Sequence, residues 1–237
     1  MSTPSTKQRD GGFSLIELVI AMALTITVMG LATTLLAQAL NMRTRANANN
    51  DALADAQRAL NIMSREISEA GFNLSGNGIV SGDTTNDAAG NSMIRIRSNL
   101  NKFDESATTT ARNGIGVTGE DAGEDIKYFI YDASNTNLLA RYDQYSQAGG
   151  SITVLANRLD SLHMHYYGAK VSYTTSGCDV TSASASEVSP SAATYVVIAV
   201  CVQLDAVGKF GSAGYQPAKS VLLVSDVTLR NANLPYY

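Results

Sequence analysis

The chain has 237 residues, 45% hydrophobic and 16% charged, with a formal net charge of -4, enough for one domain with its own core in addition to a membrane segment. No basic stripe accompanies this weakly acidic balance, which excludes the electrostatic footprint of a nucleic-acid binder. A phosphate-cradling glycine loop, a zinc-protease helix motif and a nucleophile elbow are all missing from the sequence, so the chain is not read as an enzyme and no cofactor is expected.

In chain order, a polar leader with Lys7, Arg9 and Asp10 precedes a run from Phe13 to Leu40 that is almost wholly apolar. As a helix this 28-residue run spans about 42 Å at 1.5 Å per residue, more than the roughly 30 Å of a bilayer's hydrocarbon core. Glu17 is its one charged residue. A carboxylate at the centre of a membrane helix costs on the order of 2.5 to 3.5 kcal/mol, less near the end. Two readings of Glu17 follow: an interfacial group stabilising the positive end of the helix, or a charge kept for a partner. Lys7 and Arg9 on one flank balance Arg43 and Arg45 on the other, so charge counting leaves orientation open. Ala37-Gln38-Ala39 fits the small-x-small pattern of a signal cleavage site. The apolar stretch before it is far longer than the 7 to 15 residues of a signal core, which argues against that reading.

The helical pattern continues past the apolar run, with no proline or glycine between Arg43 and Ala70. Leu53, Leu60 and Ile67 recur every seventh residue, and Ala56, Met63 and Ala70 recur between them, which makes an amphipathic stripe. The polar side carries Asp55, Gln57, Arg58, Arg65, Glu66 and Glu69, and Gly71 is a suitable C-terminal cap. Residues 13–70 together predict a rod about 87 Å long. Its second half is expected to pack on the domain that follows. The first half has no domain to cover it and offers Ala21, Ala23, Thr27, Gly30, Ala32 and Thr33 for close approach to other helices.

After Gly71 the composition shifts to Gly, Ser, Thr and Asn around short β-branched and aromatic runs. These predict strands near Met93 to Arg97, Ile126 to Tyr131, Leu138 to Tyr142, Ile152 to Leu155, Leu159 to Tyr167, Tyr195 to Leu204 and Val221 to Leu229. In the fifth, Leu162, Met164 and Tyr166 alternate with His163, His165 and Tyr167. The fold class is α+β, a long helix lying across a mainly antiparallel sheet. Long loops are expected at Ser75 to Ser92, Asp104 to Asp125 and Ser172 to Thr194.

The leader followed by Gly12, Phe13, Ser14, Leu15, Ile16, Glu17 and a long apolar helix resembles the type IV pilin-like proteins. The stretches "RALNIMSREISEAGFN", "VLANRLDSLHMHYYG" and "SDVTLRN" are most similar to the PilW-family minor pilins and to the larger minor pseudopilins of type II secretion. The resemblance implies a pilin-like fold and cleavage after Gly12 by a prepilin peptidase that then methylates the amino group of Phe13. It implies that Glu17, fifth in the mature chain, neutralises the amino terminus of a neighbouring subunit. An α-amine has a reference pKa of about 7.7 to 8 and methylation keeps its charge, so the pair would set register more than net stability.

The implied organisation is a cleaved leader (1–12), a transmembrane and filament-core helix (13–42), an amphipathic stem helix (43–70) and a β-rich head outside the cytoplasm (71–237). Implied partners are other major and minor pilins through the N-terminal helix, the prepilin peptidase, and the inner membrane before assembly; after assembly the chain is expected in a surface pilus. The stem lacks the internal proline of many major pilins and the head is large, so the expected function is a minor subunit that primes or caps assembly and sits at the filament tip. A pseudopilin of a type II secretion system and a single-span adhesin or uptake module that does not polymerise stand as alternatives.

An exported domain with two cysteines, Cys178 and Cys201, is expected to join them in a disulfide. His163 and His165 have a spacing compatible with a metal. Without a third or fourth ligand they read as a solvated or hydrogen-bonded strand face. Glu120, Asp121, Glu124 and Asp125 offer hard oxygen ligands to calcium but match no EF-hand loop, and read as a solvated acidic loop.

Overall fold

The structure is a computed structural model that describes residues 14–74, 76–100, 122–133, 136–146, 150–211 and 215–232. One helix, α1 (Leu15–Glu69), runs unbroken for 55 residues, about 82 Å. Its two halves have different surroundings. Every residue from Leu15 to Asn41 is exposed, whereas Asn49, Ala52, Ala56, Ala59, Leu60, Met63 and Ile67 are buried. The buried set repeats at three- and four-residue steps, as one face of a helix requires. Its alanines bring the backbone close to the sheet, and burying Leu60, Met63 and Ile67 contributes roughly 1.5–3 kcal/mol each. Leu53, expected on this stripe, sits at its edge and is partly buried.

Two antiparallel sheets receive that face. The first has the order β1 (Ile94–Arg97), β2 (Asp125–Ala133), β3 (Thr136–Asp143) and β4 (Ser151–Ala156). The second places β8 (Tyr195–Leu204) between β5 (Leu159–Tyr167) and β9 (Lys219–Thr228). The helix packs on β4, β8 and β9, and one contiguous core joins it to both sheets. This is the α+β architecture that the sequence predicts. The strands lie within about two residues of the expected bounds, close to the usual ambiguity in where an element ends.

The loop expected at Ser172 to Thr194 is not wholly irregular. It holds a hairpin, β6 (Thr174–Ser176) and β7 (Asp179–Thr181), around Gly177 and Cys178. The hairpin covers the outer face of the second sheet, where Val180 packs with Tyr167, Tyr195, Val197 and Ala199 in a second cluster. β8 is therefore buried on both faces, with Val196, Ile198, Val200 and Val202 turned to the helix side. That explains why "YVVIAVCV" is a continuous apolar run instead of an alternating one.

The helix end is held by backbone geometry. Gly71, with φ +79°, donates its N–H to Arg97 O at 2.9 Å, while Arg97 N–H donates to Gly78 O at 2.7 Å. A Cβ on Gly78, where φ is +75°, would lie 2.1 Å from Gly71 N. Asn231 Nδ2 adds bonds to the carbonyls of Glu69 and Ala70, so the closing "SDVTLRN" stretch satisfies orphan acceptors of the last helical turn.

Candidate functional site

Gly12 and Phe13, the expected processing site, lie outside the described residues, as does the rest of the leader. The description begins at Ser14, which stands at the N-cap, with φ −68° and ψ 142°, and donates its N–H to the Glu17 carboxylate at 3.4 Å. Within a single chain Glu17 thus closes a capping box and sits against the positive end of the helix. Around it, the large apolar side chains from Leu15 to Leu40 are 52–81% exposed. The threonine hydroxyls among them are satisfied within the helix. Thr25 donates to Ala21 O, Thr27 to Ala23 O, Thr33 to Met29 O and Thr34 to Leu31 O, which suits a segment surrounded by hydrocarbon. One 18-residue window reaches a mean hydropathy of 2.3, so α1 is long and apolar enough to cross a membrane.

The helix meets the head at Asn49. Its amide donates to Asp205 O at 3.0 Å and accepts from Asp205 N–H at 3.2 Å, replacing a backbone pairing at the end of β8. One turn earlier, Arg45 donates to Ala206 O at 3.3 Å. At the far end of the docked segment, the Glu66 carboxylate accepts from Tyr128 Oη and from Arg141 Nε, the latter at 3.0 Å. Glu66 was expected on the polar side of the stem, yet its side chain is only 15% exposed. Its long arm reaches from the flank of the stripe to a buried phenol and a guanidinium. Burial first, and then the charge of Glu66, raise the Tyr128 phenol far above its ordinary range.

Cys178 and Cys201 are joined in a disulfide with a Cα separation of 5.4 Å, as their export was expected to favour. It ties the turn of the β6–β7 hairpin to the outer face of β8. Asp160 and the two sulfurs have ligand atoms within 4.8 Å of one another, but bonded sulfurs offer no thiolate to a metal. His163 and His165 are both partly buried on β5. The His165 ring lies between two carboxylates, Nδ1 at 2.7 Å from Glu187 and Nε2 at 2.7 Å from Asp179, so both ring nitrogens are already occupied. Burial by itself would lower its pKa; the hydrogen bonds and charges of Glu187 and Asp179 outweigh burial and raise it.

The acidic cluster differs from expectation. Glu120 and Asp121 lie outside the described residues, but Glu124 and Asp125 are each 1% exposed and belong to no solvated loop. Asp125 begins β2 and pairs with Arg95 Nε at 2.7 Å and Arg97 Nε at 2.9 Å, while Glu124 accepts from Leu100 N–H at 2.6 Å. Arg95 and Arg97 alternate along β1 with the core residues Ile94 and Ile96, and that i, i+2 spacing on a neighbouring strand is the signal that points to a structural pair.

Residues 7–33 match the family model described as the prokaryotic N-terminal methylation motif. A comparison with curated proteins found no match. Among solved structures, a type IV-like pilin from Thermus thermophilus is similar, with a TM-score of 0.42 and 7% identity, covering 76% of this chain and 96% of that one. The methylation motif heads a long apolar helix whose distal half is docked on antiparallel sheets.

Proposed function

We propose that the chain is a minor type IV pilin, a structural subunit that primes or caps a filament and sits at its tip. The observation that carries this reading is the uncovered apolar half of α1, from Leu15 to Leu40. Such a surface resides in lipid before assembly and, in a polymer, packs against the same surface of other subunits. Processing after Gly12 removes residues 1–12 and leaves Phe13 as a methylated amino terminus. Glu17 then exchanges its capping contact with Ser14 for the charged amine of a neighbouring subunit's first residue. The head projects outward and contacts other minor pilins. A large head with long connections is easier to accommodate once, at an end, than at every position along a fibre.

Filaments sheared from the cell surface and digested for mass spectrometry are expected to yield a peptide that begins at methylated Phe13. Recovery of that peptide only from the membrane fraction would favour a pseudopilin, and a chain still holding its leader would refute processing. Glu17→Ala is expected to leave cleavage intact and to deplete the subunit from sheared filaments; normal incorporation would refute the assigned role of Glu17.

A further inference from the structure

The connection between β8 and β9 lies against the helix where the apolar run ends. Arg45 reaches the carbonyl of Ala206 at 3.3 Å, and a cleft of about 190 Å³ is lined by Gln38, Asn41, Met42, Arg45, Gly208 and Lys209. Next in the chain is Phe210, 85% exposed, the most exposed large apolar side chain among the described residues. Its ring stands edge-on to Tyr215 with centroids 5.5 Å apart. Two aromatic rings and the cations Arg43, Arg45 and Lys209 therefore gather at one level of the rod. Asp205, the acidic group of this connection, is paired with Arg158 at 2.9 Å, and the first acidic residue along the helix after Glu17 is Asp51.

That level can be located. Arg45 is five residues beyond Leu40, about 7.5 Å along the helix. The polar layer of each leaflet is roughly 5–7 Å thick. With Leu40 at the outer edge of the hydrocarbon, the cleft and the adjoining Phe210 stand at the headgroups, where aromatic rings concentrate at the acyl boundary and Lys and Arg meet lipid phosphates.

We propose that the Asp205–Gly211 connection, with Tyr215 and the Arg43–Arg45 turn of α1, is a membrane-surface contact that docks the head on anionic phospholipid: Phe210 enters the interface, and Arg45 and Lys209 hold a phosphate between them. This rests on the reading of α1 as a membrane anchor. The contact fixes the tilt of the head over the bilayer before assembly, and it must be released when the subunit leaves the membrane.

The chain contains no tryptophan, so Phe210→Trp introduces a single reporter. With the full chain in vesicles of phosphatidylethanolamine and phosphatidylglycerol, the indole is expected to be quenched by lipids brominated near the headgroup and shielded from aqueous iodide. The Ile152→Trp chain, altered on the exposed face of β4, should show the reverse. Adding Lys209→Gln to Phe210→Trp should lower the ratio of lipid-bound to free loop roughly fivefold, the effect of one charge near an anionic surface. Leu24→Trp separates the two readings. If its indole is quenched by lipid while that of Phe210→Trp is open to iodide, the proposal fails and the anchor stands; if neither is quenched, both fail. Shielding of the Phe210→Trp indole in sheared filaments but not in vesicles would make the loop a subunit contact and overturn the proposal.

Discussion

Replacing Glu66 tests whether the stem is locked to the head by a buried charge. In the folded chain its carboxylate accepts from Tyr128 Oη and Arg141 Nε. Tyr128 is fully buried, and the side chains of Arg141 and Glu66 are 18% and 15% exposed. Glu66→Ala leaves the phenol without this acceptor and the guanidinium with Asp143 at 3.4 Å. Hydrogen bonds to a charged group contribute roughly 1.5–3 kcal/mol, and breaking one partner of a buried pair costs about 3–5 kcal/mol. Partial access to water places the expected loss near the lower end, about 3 kcal/mol, or roughly 150-fold in the unfolding equilibrium. Urea denaturation of the full chain in detergent reads this as a lower midpoint at unchanged slope. Glu66→Gln, which keeps an acceptor without the charge, should lose about half as much. In a Tyr128→Phe background the Glu66→Ala loss should shrink by about 1–2 kcal/mol, the coupling of a contacting pair. A loss under about 0.5 kcal/mol, the level of an unremarkable surface change, would show that Glu66 points into water and would refute the lock.

Reducing the Cys178–Cys201 disulfide, which joins residues 23 apart, should cost roughly 3 kcal/mol in the chain-entropy account, read as a lower denaturation midpoint in reductant that Cys178→Ser reproduces without it. His165 has a raised pKa in the folded chain, so its bridge to Asp179 and Glu187 contributes fully below the unfolded value of about 6.5 and is lost as pH rises through the folded value. The protection factor of the Val180 amide, corrected for the intrinsic pH dependence of exchange, should fall over that rise and stay constant in His165→Gln; an unchanged pH profile in that variant would remove the bridge as its cause. Gly78→Ala should prevent stable docking of the helix end, because its Cβ would meet Gly71 N at 2.1 Å and Arg97 O at 2.4 Å. Gly90→Ala, at φ +88° with nothing within 4 Å, should cost only the left-handed strain of about 1–2 kcal/mol, a contrast that thermal unfolding of both variants will measure.

Much of this architecture is legible in residue order because it follows from periodicity. The single helix, its apolar and amphipathic halves, and the strands β5 and β8 within a residue of their bounds all come from patterns of period 3.6 and 2 or from unbroken apolar runs. The methylation motif is likewise contiguous, and its family model matches residues 7–33. The β6–β7 hairpin carries a weaker local signal, a Gly-Cys turn between threonine-bearing arms, hidden in a Ser- and Thr-rich stretch that reads as loop.

What residue order alone determined is the set of local preferences: where a helix persists, which face is apolar, and which segment cannot be left in water. Tertiary structure decided which polar groups go inside. Glu66 on an apparently solvated flank, Asp125 and Glu124 in an apparently acidic loop, and His165 on an apparently polar strand face are all partly or wholly enclosed by partners far away in sequence. Arg141 comes from 75 residues downstream of Glu66, and Arg95 from 30 residues upstream of Asp125. Composition and spacing register the desolvation penalty of a charge, whereas the compensating partner is supplied by strand pairing and helix docking, which bring distant residues within hydrogen-bonding distance only after the chain has folded.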